Sequence, residues 1–168
     1  MQRRQLTGQR SVSERLDALT LNAFPHVVDT LLQWSDSDVY GHLNNVAYLA
    51  YFDTALNVAL VELEALDISP QGEGLIGLVA QSNAHYFSEV TFPSRLRVGV
   101  RVEAIGRTSL TWGFGLFSRE NLICAARGTF VHVYVDRQTR RPQPLSPALL
   151  SCATALFMDP TQDGRFSA

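Results

Sequence analysis

From Val46 to Leu66 the chain reads VAYLAYFDTALNVALVELEAL, a long run with neither glycine nor proline. Alanine and leucine dominate it, which predicts a helix. At about 100° per residue, Asp53, Asn57 and Glu64 fall within roughly 40° of one another, so most of the remaining circumference is apolar. Such a helix cannot stand alone in water; the rest of the chain has to wrap it. The same polar residues interrupt it too often for a membrane span.

The wrapping material is legible downstream. DISPQGEG (67–74) carries a proline and two glycines and ends the helix. In RVGVRVEA (97–104), Arg97, Gly99, Arg101 and Glu103 alternate with Val98, Val100, Val102 and Ala104, the period of a strand with the apolar set facing inward. LVAQSNAHYF (78–87), LTWGFGLFS (110–118) and ARGTFVHVYVD (126–136) also read as strands, and Gly106 and Asn121 suit the turns between hairpin partners. FPHVVDTLLQW (24–34) reads as a first strand. One strand, a long helix and about four further strands predict an α+β domain, with an antiparallel sheet of about five strands curled around the helix. TFVHVYV (129–135) reads as an edge strand apolar enough to need covering, which favours an oligomer. A chain of 168 residues suits one domain. Its expected limits are 23–145, after a flexible N-terminal extension (1–22) and before a C-terminal segment (146–168) with a short helix.

Composition narrows the chemistry. With 46% hydrophobic residues, 18% charged and a net charge of −2, neither a disordered chain nor a basic nucleic-acid surface is expected. All 14 basic residues are arginine, which excludes Schiff-base lysine chemistry and a lysine-bearing phosphate loop. Cys124 and Cys152 show neither metal-ligand spacing nor a disulfide framework, so a reducing cytoplasm is the default. MQRRQLTGQRSVSERL is not followed by a signal-peptide apolar run, and Glu14 and Asp17 argue against a transit peptide. GEGLIG (72–77) matches a dinucleotide fingerprint but follows a helix and leads into a strand, so it reads as a turn. Asp36, Asp38 and Gly41 imitate a calcium loop, but Tyr40 and Ala47 stand where ligands belong. There is no G-x-S-x-G. The histidines at 26, 42, 85 and 132 lack metal spacing, and His132 reads as a hydrogen-bonded structural residue.

The polar stretch WSDSDVYGHLNN (34–45) sits at the mouth of the helix. A helix start near Asn45 presents unpaired N–H groups and the positive end of its dipole, with Asn44 or Asn45 as cap. A carbonyl oxygen placed there would be polarised. Asp36 and Asp38 lie just upstream, and an ionised aspartate suits nucleophilic attack or activation of water beside such an electrophile. A plain capping loop would also use Asp, Asn and Gly, but His42 and two asparagines exceed what capping needs.

The run WSDSDVYGHLNNVAYLAYF closely resembles the signature of hotdog-fold acyl thioesterases of the 4-hydroxybenzoyl-CoA thioesterase-like group and the related acyl-ACP thioesterases, D-x-D-x-x-G/Q-H-x-N-N-x-x-Y. A weaker likeness extends through AIGRTSLTW (104–112). The resemblance implies a central helix wrapped by a sheet and hydrolysis of acyl-CoA or acyl-ACP thioesters. It implies Asp38 as the catalytic carboxylate, the Asn45 amide as oxyanion donor and His42 as an orienting residue. Tyr40 stands where acyl-ACP relatives often have Asn, so their network around the histidine is not carried over. Tyr40, Gly41 and Tyr48 join the expected substrate-binding set. Tyr48, Phe52 and Ala55 are candidates to line an acyl channel, and Arg107 and Ser109 fall where relatives contact the pantetheine or phosphates of CoA. Arg137, Arg140 and Arg141 read as solvated surface. Neither a metal nor a cofactor beyond substrate CoA is expected. The resemblance implies a homodimer or homotetramer, with no nucleic-acid or membrane partner. The rivals are a non-catalytic acyl-thioester binding protein on the same fold and a hydratase of enoyl thioesters, whose Asp and His have a different spacing.

Overall fold

The computed structural model describes residues 19–65, 74–118 and 124–162. Five strands, β1 (His26–Leu31), β2 (Leu75–Tyr86), β3 (Arg95–Ile105), β4 (Ser109–Ser118) and β5 (Cys124–Asp136), form one antiparallel sheet in the order β1-β3-β4-β5-β2. The helix α1 (Asn45–Glu62) connects β1 to β2 and packs on the concave face, giving the hotdog fold. Register shifts at Val102/Ala104, Leu116/Phe117 and Val79/Gln81 add the local bends that help the sheet curl.

The alternation read from 97–104 holds where the core forms: Val98, Val100 and Val102 are completely buried. Ala104, beyond the register shift, is exposed rather than inward. Arg101 faces away from the helix yet is also completely buried, because the sheet's convex face has its own cover. Phe24 lies over Gly99 and Gly115, where an added Cβ would come within 2.3 and 2.6 Å of its ring. Phe24 also packs edge-on to Phe117 and sits 5.1 Å from the Arg101 guanidinium. Glu103 Oε1 accepts from both Arg101 and Arg127, so this second core closes over a bonded charge cluster. Leu19 is buried in it, so packing begins inside the segment expected to be a flexible extension.

Several expected boundaries move. The first strand is His26–Leu31, since Trp34–Asp36 turns as a short 3-10 helix. The helix stops at Glu62, short of Leu66: Glu64 takes a left-handed φ of 50° and Ala65 N–H donates back to the Leu60 carbonyl, a closure that DISPQGEG is not needed for. Residues 67–73 of that segment, Leu66, Asn121 and the N-terminal residues 1–18 lie outside the described residues. TFVHVYV is not an edge: it lies in β5, paired on both sides, and among the described residues the sheet's outer strands are β1 and β2. The short C-terminal helix exists as α2 (Pro147–Ala155), capped by Ser146, with Leu149, Cys152 and Ala153 in the main core. The sheet covers only one side of α1, through Tyr48, Phe52, Ala55, Leu56 and Ala59; Val46, Asp53 and Asn57 stay exposed. His132 is buried in β5, but its Nε2 has no partner among the described residues, and burial lowers its pKa.

Candidate active site

The loop from Leu32 to Asn44 is shaped by its two carboxylates, which do different work. Asp36 Oδ2 accepts a 2.7 Å hydrogen bond from Tyr51 Oη on α1, and the Asp36 carbonyl accepts from Asn44 N–H. Burial, then the bond to Asp36, pushes the Tyr51 phenol up to about 12. Asp38 instead closes a turn: its Oδ1 accepts from the N–H groups of Tyr40 (2.8 Å) and His42 (3.1 Å), and Gly41 sits at φ 81°, a left-handed position natural to glycine. Asp38 Oδ2 accepts no hydrogen bond from the described residues.

The turn leads into the helix tip. Asn44 is the cap, its Oδ1 accepting from Val46 N–H at 3.2 Å. Asn45 is the first helical residue, and its own N–H has no acceptor among the described residues. Tyr86, at the end of β2, donates its hydroxyl to the Asn45 carbonyl at 3.0 Å. The chain beyond Tyr86 runs alongside the loop, with Leu43 N–H donating to the Val90 carbonyl and His42 bridging Thr91. That pairing sets Glu89 Oε2 3.3 Å from His42 Nε2.

Between these parts lies a cavity of ≈ 380 Å³. Asp38, His42, Asn45 and Glu89 give it a polar side; Leu43, Tyr48, Tyr86 and Phe87 give it an apolar one. Tyr48 is packed edge-on to Tyr86, with ring centroids 5.0 Å apart. Burial, then the nearby Tyr86 and Glu89, pushes the Tyr48 phenol up to about 12, so it is neutral at physiological pH. A carboxylate, an unpaired helix N–H and an imidazole around one space can hold and polarise a carbonyl and attack it directly or through water.

Of the residues singled out from sequence, Asp38, His42, Asn45 and Tyr48 meet at this cavity. Gly41 shapes the turn, and Tyr40, 80% exposed, points away from the core. Phe52 and Ala55 lie in the main core, not on the cavity. Arg107 and Ser109 flank the β3–β4 turn; Ser109 is seven residues along β4 from Leu116, beside which β5 and β2 carry Ala126 and Tyr86, so roughly 20 Å separates them from the site within one chain. Sequence reading missed Tyr86, Phe87 and Glu89. Nothing local marks them, because only the β2–β5 pairing and the Leu43–Val90 bond bring them here. Among the described residues, no group of three or more His, Cys, Asp or Glu side chains is placed to hold a metal ion, and no helix is long and apolar enough to cross a membrane.

Residues 32–152 match the family model described as the thioesterase-like superfamily. The structure is similar to that of the PA5185 protein from Pseudomonas aeruginosa, at 40% identity and a TM-score of 0.77 over 82% of this chain and 95% of that one. It is also similar to a Thermus thermophilus thioesterase solved with coenzyme A and Zn, at 28% identity and a TM-score of 0.65 over 80% and 95% of the two chains. In sequence it is 29% identical over 108 residues to the Bacillus subtilis protein YsmA, spanning 64% of this chain and 71% of that one.

Proposed function

The chain belongs to the thioesterase-like superfamily, and from that premise we propose that it hydrolyses acyl thioesters of CoA, or of acyl carrier protein, to a free carboxylic acid and a thiol. The observation that carries the reading is that Asp38 and the unpaired Asn45 N–H line one cavity. The thioester carbonyl oxygen sits against that N–H, at the positive end of α1. Sulfur donates poorly into the carbonyl and leaves readily as thiolate, so a carboxylate is a sufficient nucleophile. In one route an Asp38 oxygen bonds to the carbonyl carbon, the C–S bond breaks, the thiolate takes a proton from solvent, and water then cleaves the mixed anhydride. In the other, Asp38 takes a proton from water as the water oxygen bonds to the carbonyl carbon, the same C–S bond breaks, and Asp38 returns its proton to the departing thiolate. His42, paired with Glu89, orients the carbonyl or the water.

The protein acts as a homodimer in this reading. β2 leaves a twelve-residue edge free among the described residues, with Leu78 and Val79 exposed on it. Two such edges pairing antiparallel about a two-fold axis set the Tyr86 end of one copy beside the Leu75 end of the other. The latter is the end at which Ser109 and Arg107 lie, so the partner's Arg107 comes to the side of the site where a CoA phosphate would be held.

The test is release of free thiol from a panel of acyl-CoAs, comparing wild type with Asp38→Ala. Turnover by wild type that collapses in the variant is the expected result. Binding without thiol release by wild type would instead favour a non-catalytic acyl-thioester binding protein, a rival helped by the engagement of Asp38 Oδ1 in its own turn.

A further inference from the structure

Resting on the thioester reading of this cavity, we propose that the aromatic pair Tyr48–Tyr86 is a specificity-determining wall, and that the site takes thioesters of short acyl groups. With the carbonyl held at the Asn45 amide, the acyl group extends toward the apolar side of the cavity, where the edge-on pair of Tyr48 and Tyr86 meets it. The two rings are held differently, Tyr48 by burial and the half-exposed Tyr86 by its packing on Tyr48 and one hydrogen bond. Tyr48 is buried against the core, and Tyr86 is tied by its hydroxyl to the Asn45 carbonyl at 3.0 Å.

Among the described residues the cavity does not continue behind Tyr48 along the helix. Phe52, one turn further on, is completely buried and stacked on Phe114 at 5.2 Å between centroids, and Phe130 closes on Phe114 at 4.9 Å. Ala55 and Leu56 are equally sealed. A core at this packing density does not admit a chain of methylenes without expelling side chains. Among the described residues the buried face of α1 is therefore filled by its own fold, with no room along it for an acyl tail.

The experiment measures binding of non-hydrolysable S-alkyl-CoA thioethers, from ethyl to dodecyl, by calorimetry, so it reads the wall whether or not the protein turns over. Each methylene that enters the apolar side should tighten binding roughly fourfold, the equivalent of ~0.8 kcal/mol per buried CH₂. In wild type that gain should stop after the first few carbons. In Tyr86→Val, which removes the ring and suits a strand, it should continue for at least two more. Tyr86→Phe keeps the ring against Tyr48 but gives up the hydroxyl tie to Asn45, so its break should fall between those of wild type and Tyr86→Val. A steady gain through octyl in wild type, an unmoved break in Tyr86→Val, or no binding of any analogue would overturn the proposal. Failure of thiol release with the break intact would count against the hydrolase reading alone.

Discussion

Tyr51 Oη lies 2.7 Å from Asp36 Oδ2, so the first carboxylate of the motif ties the loop to the helix while the second, Asp38, lines the cavity. The two aspartates should therefore separate in experiment. Asp36→Ala removes this charge-assisted bond and is expected to lower stability by about 1.5–3 kcal/mol in urea denaturation. Asp38→Asn should leave the denaturation midpoint closer to wild type and lower kcat by roughly 10²–10⁴. Equal stability losses with equal kcat would contradict this division.

The pair His42–Glu89 is partly exposed, at 3.3 Å, so its coupling is small but measurable. Glu89→Gln is expected to lower kcat/KM by up to about fivefold in the wild-type background. In a His42→Ala background the same change should have no further effect. Additive losses in this double-mutant cycle would show that Glu89 acts independently of His42.

His132 is held neutral by burial, its pKa lowered in the folded state although Asp53 opposes the shift. The unfolded chain therefore binds a proton at a higher pH than the folded one. Above the unfolded value of about 6.5 both states are neutral there; as pH falls through that value, stability declines until the folded histidine also protonates. Urea denaturation from pH 8 to 5 should show this decline, with a slope of at most about 1.4 kcal/mol per pH unit from this residue. His132→Phe should flatten the curve in that window, and an unchanged slope would refute the assignment.

The free β2 edge predicts a particle of twice the 18.6 kDa chain mass in sedimentation at micromolar concentration. Leu78→Lys combined with Val79→Lys puts like charges across a two-fold edge and should shift the protein to monomer. A double variant with an unaltered dimer mass would place the interface elsewhere.

Phe24 fills the space that Gly99 and Gly115 leave on the convex face. Gly99→Ala should destabilise by about 1–3 kcal/mol through overpacking. In a Phe24→Ala background, which itself should cost roughly 3–5 kcal/mol, the added methyl should be nearly neutral. Denaturation curves of the four proteins decide it; additivity would mean that the ring and the glycine do not compete for one space.

The sequence by itself determined the parts whose signals are local: the helix from its unbroken run of helix formers, the strand β3 from the alternation of Val98, Val100 and Val102, and the cluster of Asp38, His42 and Asn45 from a loop that folds onto its own helix tip. Only the tertiary structure decided which strand is an edge, because the order β1-β3-β4-β5-β2 arises from pairing between distant segments, and an apolar strand such as TFVHVYV reads alike in the middle of a sheet and at its rim. It also supplied Tyr86 and Glu89, which lie more than forty residues beyond Asn45 and reach the cavity through β2–β5 pairing and the Leu43–Val90 bond. The helix illustrates the division: periodicity shows that a face must be buried, but packing chooses what buries it, and here Phe114 and Phe130 close on Phe52.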